Sequence, residues 1–465
     1  MHTTALSTRD DAIATALAGL KDGSFRADLA RCVAIPTVSR EPEHLADVER
    51  YLRDEIEPLC ERLGFQVAYY RRTETPLPFM LASRIENPAL PTVLMYGHGD
   101  VVSGLEQQWT PGLSPFVLQE RHGRYYGRGT ADNKGQHLVN LAALAAVLDT
   151  VGSLGFNVKY LFEMGEECGS PGLAELCADR KDDFDADLFI ASDGPRISED
   201  EATMFLGSRG ALDFYLEVHE RANFLHSGNW GGLVANPGVE LCHAIAALIG
   251  PTGQCLVPEL TPGTIPADIR KSLESCHIKA PAENVSLDEW WGEPGLTQAE
   301  RVYAWSTLEV MDIEVGNIKS PIGAIPPSAR ARLELRFPLG VDADGVLSAV
   351  SRKLESAGCS RVKATPTGSM PFPASRSELG NEWVTFAARS MERTLARKPQ
   401  IIPNFGGALP NHVFAQTLGL PTIWIPHSYP GCGQHGADEH LPVSIIAEGL
   451  AIMTGLFWDI GHQPG

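Results

Sequence analysis

The 465-residue sequence is poor in positive charge. Its 38 Lys and Arg residues are outnumbered by 58 Asp and Glu residues, which gives a formal net charge of −20. A surface with so few cations is poorly suited to nucleic-acid phosphates or to an anionic membrane, so we expect neither as a partner. Acidic residues in such excess either form a solvated surface or hold a cation, and composition alone does not separate these two roles.

The sequence contains no closely spaced cysteine pair of the C-x-x-C type. The nine cysteines occur singly between Cys32 and Cys432, and none belongs to a C-x-x-C pair. We therefore expect no disulfide framework, and the predicted compartment is a reducing cytoplasm. The thiols are interpreted as small, buried, apolar side chains.

Long apolar runs are scarce as well. The first twenty residues include Arg9, Asp10 and Asp11 where a signal peptide would need an apolar segment. The helical stretch that we identify as the most apolar, residues 138–148, is too short to span a bilayer and contains Asn140. We expect no targeting segment and no membrane association.

Length and apolar content predict a folded protein of two domains. Short apolar runs alternate with helical patterns, which predicts an α/β domain with a mostly parallel sheet flanked by helices. Residues 330–338 instead alternate apolar and polar side chains, as a half-exposed antiparallel strand does. We predict a discontinuous catalytic domain, 1–206 and 371–465, with an α+β domain, 207–370, inserted into it.

Imidazole and carboxylate side chains follow the predicted buried strands. The carboxyl ends of parallel strands meet at one edge of a sheet, so we expect these side chains to converge there. Clustered buried carboxylates are unfavourable unless a cation compensates them, and His with Asp or Glu is a ligand set for zinc and related ions. A single H-x-D or an acidic turn is weak evidence, but the recurrence at five places favours a metal site. The residues are His98, Asp100, Asp132, Glu166, Glu167, Asp193 and His435.

Six segments, spread over nearly the whole chain, resemble the signatures of one enzyme family. They are YGHGDVV, YGRGTADNKGQ, EMGEECGS, ASDG, LHSGNWGG and QHGADEHL. The chain is thereby similar to the aminoacylase–carnosinase family of dinuclear zinc metallopeptidases, metallopeptidase family twenty. This family includes dipeptidases, carboxypeptidases, acetylornithine deacetylase and succinyl-diaminopimelate desuccinylase. The resemblance implies that the inserted domain is a lid and dimerisation domain, and that the protein is a homodimer.

The resemblance also implies a ligand set for two divalent ions in each subunit. His98 and Asp193 would hold one ion, Glu167 and His435 the other, and Asp132 would bridge both. Zinc is the expected metal, with manganese or cobalt as alternatives, because such sites accept all three.

Three further residues receive catalytic roles from the resemblance. Asp100 would hydrogen-bond the far nitrogen of His98 and fix its tautomer. Glu166 would be the general base, taking a proton from a water that bridges the ions and passing it to the leaving nitrogen. His226, in LHSGNWGG, would reach the partner subunit's active site and stabilise the oxyanion; without the resemblance it would be interpreted as a surface histidine.

The predicted substrate contacts lie in two segments. Arg336, in LELRFP, would pair with a free carboxylate of the substrate, although an outward charge on an alternating strand is the other interpretation. The backbone of Gly406 and Gly407 resembles a family loop that faces the same carboxylate. His412, close to this loop, would contact substrate or would have only a packing or surface role.

Two departures from the family pattern affect the substrate more than the chemistry. Ala408 stands where many dipeptidases have Ser, and Gly323 stands where many members have Asn. We predict an amide hydrolase acting on a small substrate with a free carboxylate, and we favour a dipeptidase or carboxypeptidase. The alternatives are an N-acyl amino acid deacylase or xenobiotic amide hydrolase, and a non-catalytic metal-dependent binding protein. The presence of Glu166 and Asp132 argues against the last of these.

Overall fold

The computed structural model describes residues 7–280, 285–368 and 371–462. The strands of its two main sheets are β1 (Gln66–Arg72), β2 (Thr75–Arg84), β3 (Thr92–His98), β4 (Asn157–Glu163), β5 (Leu188–Ala191), β6 (Thr203–Phe205), β7 (Gly210–His219), β8 (Thr307–Val315), β9 (Ser328–Phe337), β10 (Lys363–Pro366), β11 (Gln400–Ile402) and β12 (Thr422–Trp424). The α-helices are α1 (Arg9–Lys21), α2 (Ser24–Val33), α3 (Leu45–Arg50), α4 (Glu57–Arg62), α5 (Lys134–Val151), α6 (Leu173–Asp179), α7 (Lys181–Phe184), α8 (Ser227–Trp230), α9 (Pro237–Leu248), α10 (Ala267–Leu273), α11 (Gln298–Tyr303), α12 (Val346–Ser356), α13 (Glu382–Leu395) and α14 (Val443–Gly461). A π-helical turn, Tyr51–Ile56, joins α3 to α4.

The larger sheet has the strand order β1-β2-β4-β3-β5-β12-β6-β11. Its centre is parallel, since β4 and β5 both pair with β3 in parallel and β12 pairs in parallel with β5. Strands β1 and β2 add an antiparallel edge, and β6 runs antiparallel to β12. The predicted α/β fold is therefore confirmed, with a mixed sheet whose parallel strands lie in the middle.

Helices cover both faces of this sheet and bury its apolar strands. On one face α1, α2, α5, α13 and α14 pack over side chains such as Val93 and Val158. On the other face Leu94 and Phe189 pack with α6, α10 and α11. Because the central strands are buried on both sides, they are continuous apolar runs rather than alternating ones.

The smaller sheet has the order β8-β9-β7-β10 and is antiparallel. One face is covered by α9 and α12, with Leu333 of β9 fully buried between them, while the other face carries alternating charged side chains. The division at 206/207 and 370/371 stays a prediction. Within the predicted inserted domain, α10 and α11 pack on the larger sheet, and none of their described residues belongs to the core of the smaller sheet.

Helix α14 is a long apolar helix that the structure contains and the sequence pattern does not predict. It is the one helix within the described ranges that is long and apolar enough to cross a membrane, with a mean hydropathy of 1.5. The sequence pattern instead indicates residues 138–148, in α5, as the most apolar helical stretch. In the fold, 61% of its apolar window is buried, and it packs against α1, α5 and α13 as a core helix.

Candidate metal centre and active site

The ends of two neighbouring parallel strands bring His98 and Asp193 together. Tyr96 of β3 pairs with Ala191 of β5, so both chains leave the sheet side by side, two residues before His98 and Asp193. The fully buried His98 places its Nε2 3.6 Å from Oδ2 of Asp193 and 3.1 Å from Oδ1 of Asp132. These three side chains form the first candidate ligand group.

Asp132 also belongs to a second candidate ligand group. Its other oxygen, Oδ2, lies 3.2 Å from Nε2 of His435, which is in turn 3.3 Å from Oε2 of Glu167. Asp132 thus presents one carboxylate oxygen to each imidazole. This is the placement that a carboxylate shared by two ions requires.

The chemistry of these side chains fits divalent cations. Oδ2 of Asp193 and Oε1 of Glu167 are buried and have no hydrogen-bond partner among the described residues. Hydrogen bonds to Asp132 and Glu167 raise the pKa of His435 to about 11, which reflects a local excess of negative charge. Burial opposes protonation of His98, yet the charge of Asp193 and neighbouring carboxylates hold its pKa well above the usual value. Neutral imidazole and carboxylate oxygens are the donors that zinc and its neighbours accept.

Asp100 connects His98 to the turn that carries the paired glutamates. Its Oδ1 lies 3.4 Å from Nδ1 of His98, whose ring nitrogen also lies 3.1 Å from the Asp100 carbonyl. The same carboxylate accepts the backbone N–H of Glu166 at 3.2 Å and of Glu167 at 3.1 Å, and the Ser39 hydroxyl at 2.7 Å. Asp100 therefore orients the imidazole and the Glu166–Glu167 turn together, a second contact that sequence reasoning missed.

Glu439 supports the loop that ends in Asp132. It is fully buried and accepts the backbone N–H groups of Gly129, Ala131 and Asp132 at 2.9 to 3.1 Å. Arg128 donates to the same carboxylate at 2.7 Å and balances its charge. Glu439 lies outside the predicted ligand set, but it belongs to the segment QHGADEHL, four residues after His435, which indicates a supporting role beside the ligands.

Glu166 is the residue for which the sequence predicts proton transfer. It starts the short turn Glu166–Cys168, and its side chain makes no hydrogen bond within the described residues. Burial, with the charges of Asp193 and Glu167, raises its pKa well above the usual value, although His98 acts in the opposite direction. A carboxyl group with a raised pKa can accept and hold a proton near neutral pH.

Comparison with known proteins identifies the family. A family model described as peptidase family M20/M25/M40 matches residues 94–459. The chain belongs to this family. The predicted family, and with it the predicted metal-dependent peptidase, is confirmed, whereas the individual residue roles stay predictions.

Two curated relatives and one solved structure cover most of this M20-family chain. The human Beta-Ala-His dipeptidase is 26% identical over 409 residues, which are 83% of this chain and 78% of that protein. The Cys-Gly metallodipeptidase dug1 of Schizosaccharomyces pombe is 25% identical over 464 residues, 93% and 94% of the two chains. The structure of the di-peptidase Dug1p from Saccharomyces cerevisiae has a TM-score of 0.81 at 20% identity, covers 99% of this chain and 100% of its own, and supports the fold.

The predicted glycine loop of this M20-family peptidase borders the centre. Phe405 packs its ring against Gly194, where a Cβ would lie 3.2 Å from it, and Gly194 follows Asp193 directly. Gly406 and Gly407 follow Phe405 in the chain, so this aromatic ring connects their loop to the strand end that carries Asp193. A role of this loop in substrate binding stays a prediction.

The two other predicted substrate residues, Arg336 and His412, and the predicted catalytic His226 lie away from the two ligand groups. Arg336, on β9, holds the carboxylate of Glu334 through Nε at 2.8 Å and Nη2 at 3.0 Å. His226 is exposed on the predicted lid and accepts the N–H of Gly228 at 3.1 Å. His412 packs edge-on to Phe372, and burial lowers its pKa to about 4. Among the described residues, none of the three contacts a candidate metal ligand.

Proposed function

We propose that this M20-family chain is a dipeptidase that requires two divalent cations per subunit and acts in the cytoplasm. The observation that carries the proposal is Asp132, which presents one oxygen to each of two histidines. Glu166 lies close enough to the first of these, His98, to be influenced by its charge, and its side chain has no hydrogen bond within the described residues. Dipeptidase is also the activity named for the human and fission-yeast relatives.

His98, Asp132 and Asp193 would hold one ion, and Asp132, Glu167 and His435 the other. When bound, such ions polarise a scissile carbonyl and stabilise the negative charge that develops on its oxygen. Glu166 takes a proton from the attacking water and returns it to the leaving nitrogen.

Two sets of contacts around Glu166 prepare this transfer. Asp100 holds the backbone of the Glu166–Glu167 turn, and Arg40 donates to the Glu167 carbonyl, through Nε at 2.8 Å. The turn is thereby fixed before substrate arrives, which reduces the reorganisation needed in the transition state. We assign the proton transfer to Glu166 because its neighbour Glu167 faces His435.

The substrate would enter with its free carboxylate toward Gly406, Gly407 and Arg336. Backbone N–H groups and a guanidinium are the donors that recognise a carboxylate. His412, whose Nδ1 has no partner among the described residues, is a further candidate contact at the same loop.

A homodimer through the predicted lid is the assembly that we propose. Large apolar side chains are exposed on the lid segments around His226; they are Phe224, Trp230, Leu233, Val239, Met311, Ile313, Ile318 and Ile322. Exposed apolar side chains gathered in one region are typical of an interface. A partner seated there would leave His226 at the boundary of the two subunits, where it could act on the partner's substrate.

A substrate panel tests the proposal. Metal-loaded protein is incubated with unmodified dipeptides and with N-acyl amino acids, with and without chelator, and released amino acids are quantified. We expect chelator-sensitive cleavage of dipeptides. Cleavage of N-acyl amino acids alone would instead establish the deacylase, which the Ala408 position permits. Metal analysis of protein expressed in medium supplemented with zinc, manganese and cobalt tests zinc as the resident ion.

A further inference from the structure

A second arginine lies between the glycine loop and the small sheet. Arg209 is 6% exposed and directly precedes β7. Its Nε donates to the carbonyl of Gly406 at 2.8 Å, while Nη1 lies 3.3 Å from the carbonyl of Trp305 and 3.4 Å from Oγ1 of Thr307. One guanidinium thus joins the proposed substrate loop to the first residue of β8.

Arg209 and Arg336 approach each other at Thr307. Thr307 pairs directly with Arg336 across β8 and β9, and directly paired residues of antiparallel strands point to the same face. Arg209 bonds to the hydroxyl of this Thr307. Burial and the nearby charge of Arg336 lower the pKa of Arg209 to about 9, as expected for two neighbouring cations.

Each guanidinium keeps one terminal nitrogen without an acceptor. Glu334 occupies Nε and Nη2 of Arg336, and the contacts of Arg209 use Nε and Nη1. Within the described residues, Nη1 of Arg336 and Nη2 of Arg209 have no hydrogen-bond partner. The negative charges of Glu334 and Glu309 favour the charged form of Arg209. These two glutamates pair across β8 and β9, and burial together with the charge of Glu334 raises the pKa of Glu309.

Buried donors without acceptors lie next to Arg209 as well. Ser306 is 4% exposed and its hydroxyl has no partner among the described residues, and the same holds for Nε1 of Trp305. Both residues adjoin the backbone that Arg209 holds. Unsatisfied buried donors and a buried cation are unfavourable by themselves, and an anion bound beside them would supply both an acceptor and a compensating charge.

We propose that Arg209 is a substrate-binding residue, a second guanidinium that shares the substrate carboxylate with Arg336. One carboxylate oxygen accepts from Nη2 of Arg209 and the other from Nη1 of Arg336. The ligand class is therefore a carboxylate next to the scissile amide, and the inference rests on the proposed amide hydrolysis. Because Arg209 also donates to the carbonyl of Gly406, it fixes the position of the glycine loop relative to the bound carboxylate.

The test separates recognition of a carboxylate from support of the loop. Kinetics are measured on L-alanyl-L-alanine and on its C-terminal amide for the parent, Arg209→Met, Arg209→Lys and the control Arg9→Lys. Arg9 is equally buried, at 5%, but bonds to Asp459 in the outer helices. Charge-assisted hydrogen bonds predict that Arg209→Met lowers kcat/KM for the dipeptide by about 10- to 100-fold, mostly through KM, while the amide changes less than about threefold. Arg209→Lys loses less than Arg209→Met, and Arg9→Lys changes neither substrate.

Equal losses on the dipeptide and its amide would overturn the inference, because Arg209 would then only support Gly406; no loss on either would overturn it too. If Arg209→Met does not fold by circular dichroism, the Lys variant decides by the same comparison.

Binding is measured separately by titrating L-alanyl-L-alanine into metal-loaded Glu166→Gln protein with and without Arg209→Met. If the dipeptide binds in an Arg209-dependent way but the parent does not hydrolyse it, the proposed dipeptidase activity is wrong and the proposed carboxylate site stands. If the parent hydrolyses the dipeptide but binding does not depend on Arg209, the dipeptidase activity stands and the role of Arg209 is wrong.

Discussion

At the scale of single residues, Asp132 decides whether the two ligand groups are one centre. It is common to both groups, whereas His98 contributes only to the first. We expect Asp132→Ala to lose both ions and His98→Ala to keep one, as measured by elemental analysis after dialysis. Asp213→Ala, which removes a lid carboxylate bonded to Arg332, is the control and should retain both ions. Equal metal content in the Asp132 and His98 variants would contradict the shared role of Asp132.

Glu166 gives the second prediction at this scale. Glu166→Gln keeps the size of the side chain but removes the proton acceptor, and a positioned base contributes about 10²–10⁴-fold to rate. We expect a loss of that size in kcat, with metal content unchanged. Glu175→Gln, an exposed position on α6, should retain full activity. Glu166→Gln activity within tenfold of the parent would assign the proton transfer to another group.

The residues that could be predicted are those whose chemistry is visible in short segments. His98 and Asp193 follow apolar strands directly, so the rule that sites form at strand ends was enough to group them. Asp100 was predicted to orient His98, but its bonds to Glu166 and Glu167 cross 66 and 67 residues of sequence. Arg209 was not recognised at all, because its partners near residues 305 and 406 become neighbours only through the fold.

At the scale of elements, the strands were easier to predict than the segments between them. Strand β5, for example, is a short apolar run buried on both faces, so its limits are visible in the sequence. Helices α10 and α11 have seven and six residues, too few for a helical period to stand out in a Pro- and Gly-rich segment. Their packing on the larger sheet depends on long-range contacts that no local pattern encodes.

The proposed lid interface gives a prediction at the same scale. Leu233 is 76% exposed, so replacing it with Asp should leave the subunit folded but place a charge in the dimer contact. We expect Leu233→Asp to be monomeric by light scattering and to lose activity, since His226 would no longer reach a partner. A dimer of unchanged mass would contradict the proposed surface.

Mixing two inactive variants tests the role of His226 more directly. If His226 acts on the partner's substrate, a hybrid dimer of His226→Ala and Glu166→Gln chains has one site with both residues intact. We therefore expect activity to return when the two variants are refolded together, and to stay absent when each is refolded alone. Failure of the mixture to regain activity, with hybrid dimers present by native mass spectrometry, would place His226 outside the partner's site.

At the scale of the whole molecule, the net charge of −20 gains a partial explanation. Five of the 58 acidic residues gather at one edge of the larger sheet: Asp100, Asp132, Glu166, Glu167 and Asp193. Two divalent ions would compensate most of that local charge. The bare cluster opposes folding through repulsion and desolvation, so the ions should contribute to stability and not to activity alone.

Removal of metal is therefore expected to lower the thermal stability of the protein. An ion present at a hundred times its dissociation constant stabilises the folded state by about 2.7 kcal/mol, so chelation should lower Tm by several degrees. Scanning calorimetry with chelator, and after add-back of zinc, manganese or cobalt, measures the loss and its reversal. Asp132→Ala should have the lower Tm even without chelator. Adding chelator should change its Tm little, because this variant is expected to have lost both ions. If chelator lowered the Tm of this variant as much as that of the parent, the stabilising ion would lie at a site that does not include Asp132.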